Sequence, residues 1–241
     1  MSIIDYTEIS PHHSTRRSDT IDHVAIHCVV GQCTAESLGR HFAKASTQAS
    51  SNYGVDKDGR IGLYVDEAYR AWTTGGVDRN GNPVRVNGIS GSEIDHRAIT
   101  IEVASDTEAP YAITDAAYEG LIRLLVDICK RNPSIGRLRW QGDKSLVGQA
   151  DKQNIAVHRW FALKSCPGDY IYERLGDIAM EVNKRLDAEQ STPAAWAKEA
   201  VEWATANGIM LGDGKGNLRL KDNVTREEMM VFMHRMWNLM R

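Results

Sequence analysis

The sequence predicts an α/β domain with a central mixed sheet flanked by helices, plus a small helix-loop-helix C-terminal module. Three observations predict it. Short runs at 22–28, 51–56, 60–65 and 98–104 have the length and the period of strands. Longer stretches between and after them open on threonines able to cap a helix, and that order builds one sheet with helices against it. At 187–193 the composition changes to Asp-Ala-Glu-Gln-Ser-Thr-Pro, and helical spacing resumes beyond it. A chain of 241 residues holds one domain of about 150–190 residues and a small module. The boundaries are placed at 1–187 for the first domain, 188–193 for a linker and 194–241 for the module.

Residues 1–20 are polar and read as an extended lead-in. Ile21-Asp-His-Val-Ala-Ile26 alternates like a strand and delivers His27 at its end. Thr34 is positioned to cap a helix, and Lys57-Asp58-Gly59 forms a hairpin turn because Asp and Gly tolerate positive φ. Residues 73–97, rich in Gly, Asn and Asp, read as a long loop. On the strand at 98–104, Ile99, Ile101 and Val103 share one face, while Thr100, Glu102 and Ala104 share the other. Thr114 caps a helix over about 114–132, and Tyr170–Leu186 forms another. In the module, Trp196, Ala200, Trp203 and Ala204 have helical spacing, and Asn207-Gly208 stops that helix. Thr225 followed by Glu228 is a capping box that opens a second helix.

Composition excludes several classes. The formal net charge of −3 gives none of the basic field that phosphate-backbone binders use, so no nucleic acid partner is expected. No run of 18 apolar residues exists to span a membrane, and Met1-Ser-Ile-Ile-Asp-Tyr does not read as a secretory signal. Four cysteines are too few for a disulfide scaffold; Cys129 reads as a core residue.

The chemistry concentrates in His158-Arg-Trp-Phe-Ala-Leu-Lys164-Ser-Cys166-Pro167-Gly168. A cysteine before Pro-Gly is restricted to extended geometry, which suits a ligand or a nucleophile. With His27 it makes two histidines and one cysteine, the number of protein ligands a catalytic zinc uses when it leaves a fourth position open. Neutral imidazoles and a thiolate favour zinc over magnesium or calcium. Cys166 as a covalent nucleophile paired with His158 is the rival arrangement, and it leaves His27 without a role.

These residues resemble the zinc-dependent N-acetylmuramoyl-L-alanine amidases of the peptidoglycan-recognition-protein fold, the amidase-2 type found in phage endolysins. The likeness covers about residues 18–187 and rests on four motifs in order: Ile26-His27-Cys28, Ser50-Ser-Asn-Tyr53-Gly-Val-Asp-Lys-Asp58-Gly59, Ile99-Thr-Ile-Glu102, and His158 through Cys166. Where the family strand carries a glycine this chain has Thr100. Relatives with a tyrosine near the metal have it at the position of Ser51, and they tend to lack the glutamate present here.

The resemblance implies one zinc ion held by His27, His158 and Cys166, with Glu102 as general base toward the attacking water and Lys164 stabilising the oxyanion. The bond cut would be the amide between N-acetylmuramic acid and L-alanine of bacterial peptidoglycan. Tyr53, Trp72 and Trp160 are candidates for the substrate groove, with core packing as the alternative. Residues 193–238 resemble one S-layer homology repeat, through Trp196-Ala, Asn207-Gly-Ile209, Gly212-Asp-Gly and Thr225-Arg-Glu-Glu228. That likeness implies a secondary cell-wall polymer as partner, touched by Trp196, Asp213, Arg226 and Glu227, with small-core and ion-pair roles as the alternatives. Such repeats occur in threes, so homo-oligomerisation through the module is expected to supply the missing ones. The whole architecture reads as an endolysin kept in the host cytoplasm until a holin releases it to the wall. The rival is a peptidoglycan-recognition protein that binds without cutting.

Overall fold

The runs read as strands become the inner strands of a six-stranded sheet in the computed structural model, which describes residues 2–17, 19–214 and 216–241. The elements run β1 (Tyr6–Thr7), β2 (His13–Arg16), β3 (His23–Cys28), α1 (Ala35–Ala43), β4 (Tyr53–Val55), β5 (Ile61–Leu63) and β6 (Tyr69–Ala71). Then follow β7 (Arg85–Val86), β8 (Ile89–Ser90), α2 (Gly91–Arg97), β9 (Ala98–Val103), α3 (Asp115–Arg131), β10 (Ile155–Val157) and α4 (Gly168–Ser191). The C-terminal segment adds α5 (Lys198–Ala206) and α6 (Arg226–Leu239). Two compact units result, Met1–Val182 and Asn183–Arg241.

The sheet order is β1-β5-β4-β9-β3-β10, and it is mixed: β4 and β5 are antiparallel and every other pair is parallel. The antiparallel pair follows from the turn at Lys57-Asp58-Gly59, where Gly59 takes φ 79°, the conformation glycine adopts without penalty. β3 and β9 are central, which is why their side chains Val24, Ile26, Ile99 and Ile101 are fully buried. α3 closes one face with Leu121, Ile122, Leu124, Leu125 and Ile128, all fully buried. Thr34 and Thr114 cap α1 and α3 as their positions predict. All four cysteines are free thiols, and Cys129 is buried in α3.

Several readings change. The polar lead-in is partly built in: β1 pairs with β5, and β2 pairs with β6. Residues 73–97 are not one long loop. They contain the β7–β8 hairpin and α2, whose N-terminus is fixed by a reciprocal capping box between Ser90 and Glu93. The segment before His158 supplies β10, parallel to β3. α4 begins two residues earlier than read, at Gly168, and runs to Ser191 across most of the stretch read as a linker.

In the second unit Thr225 caps α6, in a capping box with Glu228. α5 is preceded by a short 3-10 turn carrying Trp196. The loop between the two helices closes on itself, Asp213 Oδ1 accepting the Asn217 amide at 3.2 Å and the Asp213 amide reaching the Asn217 carbonyl at 3.0 Å.

Candidate metal centre and its cleft

Parallel strands converge their C-terminal ends on one edge of a sheet, where ligands commonly bind. Here that edge carries the candidate residues. His27 is the penultimate residue of β3, Glu102 is penultimate in β9, and His158 directly follows β10. Register places Gly54, Glu102 and His27 in one row across β4, β9 and β3. Side chains in such a row share a face, so Glu102 projects beside His27 and away from the apolar face of Ile99 and Ile101. The Thr100 hydroxyl, where a glycine was expected, accepts the Asn52 amide at 3.0 Å and so ties β9 to the start of β4.

Cys166 arrives from the turn before α4. Its backbone carbonyl accepts the Arg159 amide at 3.0 Å, folding the 158–166 loop back on itself. The ligand atoms of His27, His158 and Cys166 all lie within 4.8 Å of one another, and among the described residues this is the one His/Cys/Asp/Glu cluster with that geometry. Cys166 Sγ stands 3.4 Å from His27 Nδ1, and the two imidazole centroids are 5.2 Å apart. A tetrahedral zinc holds such ligands about 3.5 Å from one another.

The donors fit a metal in their hydrogen bonding as well. His27 Nε2 is 3.2 Å from the Thr74 hydroxyl, which leaves Nδ1 directed at Cys166. His158 Nε2 is buried with no hydrogen-bond partner, an arrangement that is costly unless something else takes its lone pair. Glu102 Oε2 is buried and unpartnered too.

Burial dominates the ionisation of the cluster. It pushes the His27 imidazole well below its ordinary value, with the neighbouring His158 and Lys164 adding to the effect. Burial, and then Lys164, lowers His158 to about 4. Both rings are therefore neutral and able to donate lone pairs at neutral pH. A hydrogen bond with the Cys28 thiol, then burial, raises the Cys166 thiol well above its usual range. Burial likewise holds the Glu102 proton well above the ordinary carboxylate range, with Lys164 partly opposing it.

A cleft of about 400 Å³ opens over the cluster, lined by Trp72, Glu102, Tyr111, His158, Lys164 and Cys166 among others. An adjoining hollow of about 250 Å³ shares Trp72, His158 and Lys164. The structure thus brings His27, His158, Cys166, Glu102 and Lys164 together, with Trp72 on the rim at 37% exposure. The other two aromatic candidates lie elsewhere. Tyr53 is buried and its hydroxyl donates to Glu67 at 2.8 Å. Trp160 is buried and stacked on Trp140, centroids 5.3 Å apart. In the second unit, Trp196 and Glu227 line a cavity of about 850 Å³ that also carries Arg219, Lys221 and Arg235. Trp196 is 90% exposed and so is not a core residue. Asp213 sits in the closed loop and Arg226 is the exposed first residue of α6.

Sequence reasoning missed Thr74, Tyr111 and Val30. Val30 and Tyr111 both line the cleft, and both hold a left-handed backbone at φ 59° and 60° that is costly for such side chains. No local pattern in the sequence marks either position.

The N-acetylmuramoyl-L-alanine amidase family model matches residues 17–169, and the S-layer homology domain model matches residues 190–230. No curated protein matches the chain. Among solved structures, a selenomethionine derivative of AmpD is similar at TM-score 0.50 and 20% identity, over 74% of this chain and 96% of that one. A mutant of PlyL gives 0.48 at 14% identity, over 76% and 99%. A mutant endolysin from Bacillus subtilis gives 0.46 at 14% identity, over 74% and 99%. At 20% identity the likeness to the AmpD structure speaks for the fold alone. Among the described residues no helix is long and apolar enough to cross a membrane. The family match extends from just after β2 to the start of α4 and takes in every residue of the cluster, and by it the chain belongs to the N-acetylmuramoyl-L-alanine amidase family.

Proposed function

We propose that this protein is an endolysin-type peptidoglycan hydrolase that cuts the amide between the lactyl group of N-acetylmuramic acid and L-alanine, using one zinc ion held by His27, His158 and Cys166. The observation that carries this reading is the convergence of His27, Glu102 and His158, at the ends of three parallel strands, with Cys166 from the turn before α4. Zinc bound there supplies Lewis acidity toward water and the scissile carbonyl. Glu102 accepts a proton from the attacking water, and its buried carboxyl is suited to hand that proton on to the leaving amine. Lys164, exposed at the cleft wall, places an ammonium where the amide oxygen becomes anionic. Trp72 offers a flat apolar surface to a sugar ring.

Catalysis is assigned to 1–187, with 188–193 as the connection and wall-polymer binding in 194–241 through Trp196, Asp213, Arg226 and Glu227. Self-association of that module belongs to the same reading, supported by the exposed Trp203, Met229, Met233 and Trp237. So does retention in the host cytoplasm until a holin opens the membrane, with the wall as the place of action.

The test is a soluble muramoyl peptide incubated with the full chain and read by mass spectrometry. Release of a peptide with a free L-alanine amine is expected. An intact substrate would favour a recognition protein that binds without cutting.

Proton release on zinc binding is a second check. Both histidines are already neutral at pH 7, so the ligand proton comes from the Cys166 thiol, about one per zinc bound. Calorimetry in buffers of different ionisation enthalpy should count it. Zinc binding with no proton release would exclude the thiolate as a ligand.

A further inference from the structure

We propose that Thr74, backed by Asp95, is a positioning residue that selects the tautomer of His27, and that the strap Thr73–Gly75 sets both imidazoles of the cluster. The inference rests on the zinc reading above. His27 Nε2 and the Thr74 hydroxyl are 3.2 Å apart, and both side chains are essentially inaccessible to water. Thr74 in turn is tied to Asp95 through its backbone amide, which donates to Asp95 Oδ2 at 2.9 Å. A metal ligand must present a bare lone pair, and the His27 nitrogen that faces Cys166, at 3.4 Å, is Nδ1. His27 then carries its hydrogen on Nε2 and donates it to the Thr74 hydroxyl.

The next residue of the strap serves the other ring. The Gly75 backbone faces the His158 imidazole. The ring's Nε2 has no partner, so the nitrogen held there is Nδ1 and the free lone pair is on Nε2. Two histidines thus expose different nitrogens because adjacent residues of one strap hold the opposite ones.

Asp95 holds the strap. Its Oδ2 accepts the amides of Thr73 at 3.2 Å and Thr74 at 2.9 Å, while the residue is 1% exposed. α2 delivers Asp95 to this place, and its first residue allows the approach. A Cβ on Gly91 would stand 2.2 Å from the Thr74 carbonyl oxygen. Supporting hydrogen bonds of this kind commonly contribute 10–100-fold, roughly, in metal affinity.

The test compares the full-length wild type with Thr74→Val and Thr74→Ser. Zinc affinity is read by competition with a chromophoric chelator, and the tautomers of the metal-free wild type by imidazole nitrogen NMR. Expected are protonation of His27 on Nε2 and of His158 on Nδ1, a loss of about 10–100-fold in affinity for Thr74→Val, and near wild-type affinity for Thr74→Ser. Equal zinc affinity in wild type and Thr74→Val would overturn the proposal and leave the zinc site standing. A wild type that binds no zinc would overturn the zinc site itself, and this role with it. Should Thr74→Val not fold, the wild-type tautomers decide alone, and Nδ1–H on His27 would overturn the proposal.

Discussion

Cys166→Ser should lose its zinc and all measurable cleavage of muramoyl peptides while still sedimenting with cell walls. The thiolate is the softest donor of the set and the one anionic ligand among two neutral imidazoles. A serine hydroxyl at neutral pH stays protonated, so the substitution leaves two ligands where three are needed for a tight open site. The affinity loss should exceed the roughly 10–100-fold that removal of a supporting hydrogen bond causes. Wall binding is assigned to 194–241, which contains no part of the cluster, and should persist. Metal content separates this account from covalent catalysis by the thiol. A nucleophile variant would be inactive with zinc in place, whereas a ligand variant is inactive because zinc has gone. Full lysis by Cys166→Ser at stoichiometric zinc would remove the thiolate from the ligand set.

Glu102→Gln carries the second large effect. The substitution preserves shape and one acceptor but ends proton transfer, so turnover should fall by about 10²–10⁴-fold. Zinc should remain, because Glu102 is outside the three-donor cluster. The sign of the pH effect follows from burial. The folded protein holds the Glu102 proton to a pH above the ordinary carboxylate range, and the carboxyl acts as base only once that proton has left. Wild-type turnover therefore falls toward acid pH as Glu102 takes up its proton, and the residual activity of Glu102→Gln lacks that acidic limb. A glutamine variant retaining both the limb and the rate would take Glu102 out of the chemistry.

What could be read from the sequence was local. The ends of β3 and β9 were visible because alternation marks a strand and tells which side Glu102 takes. The His158–Cys166 segment was visible because its chemistry lies within one loop. β10 escaped because three residues, all buried, have no period to detect. α2 was missed although its signal was present: Ser90 and Glu93 have capping-box spacing inside a stretch dominated by Gly, Asn and Asp. Trp160 illustrates a different limit. Its burial depends on Trp140, twenty residues earlier in a segment with no regular strand or helix, and no local pattern announces that stacking. Thr74 and Asp95 meet only because α2 docks against the strap, so their joint relation to His27 is a property of the fold.

The most direct test of the central claim is a digest of purified peptidoglycan by the full chain, before chelation, after it, and after zinc is restored. The account predicts stem peptides with free L-alanine amines that vanish with the chelator and return with zinc. Cleavage of the same bond that survives complete removal of metal would contradict it.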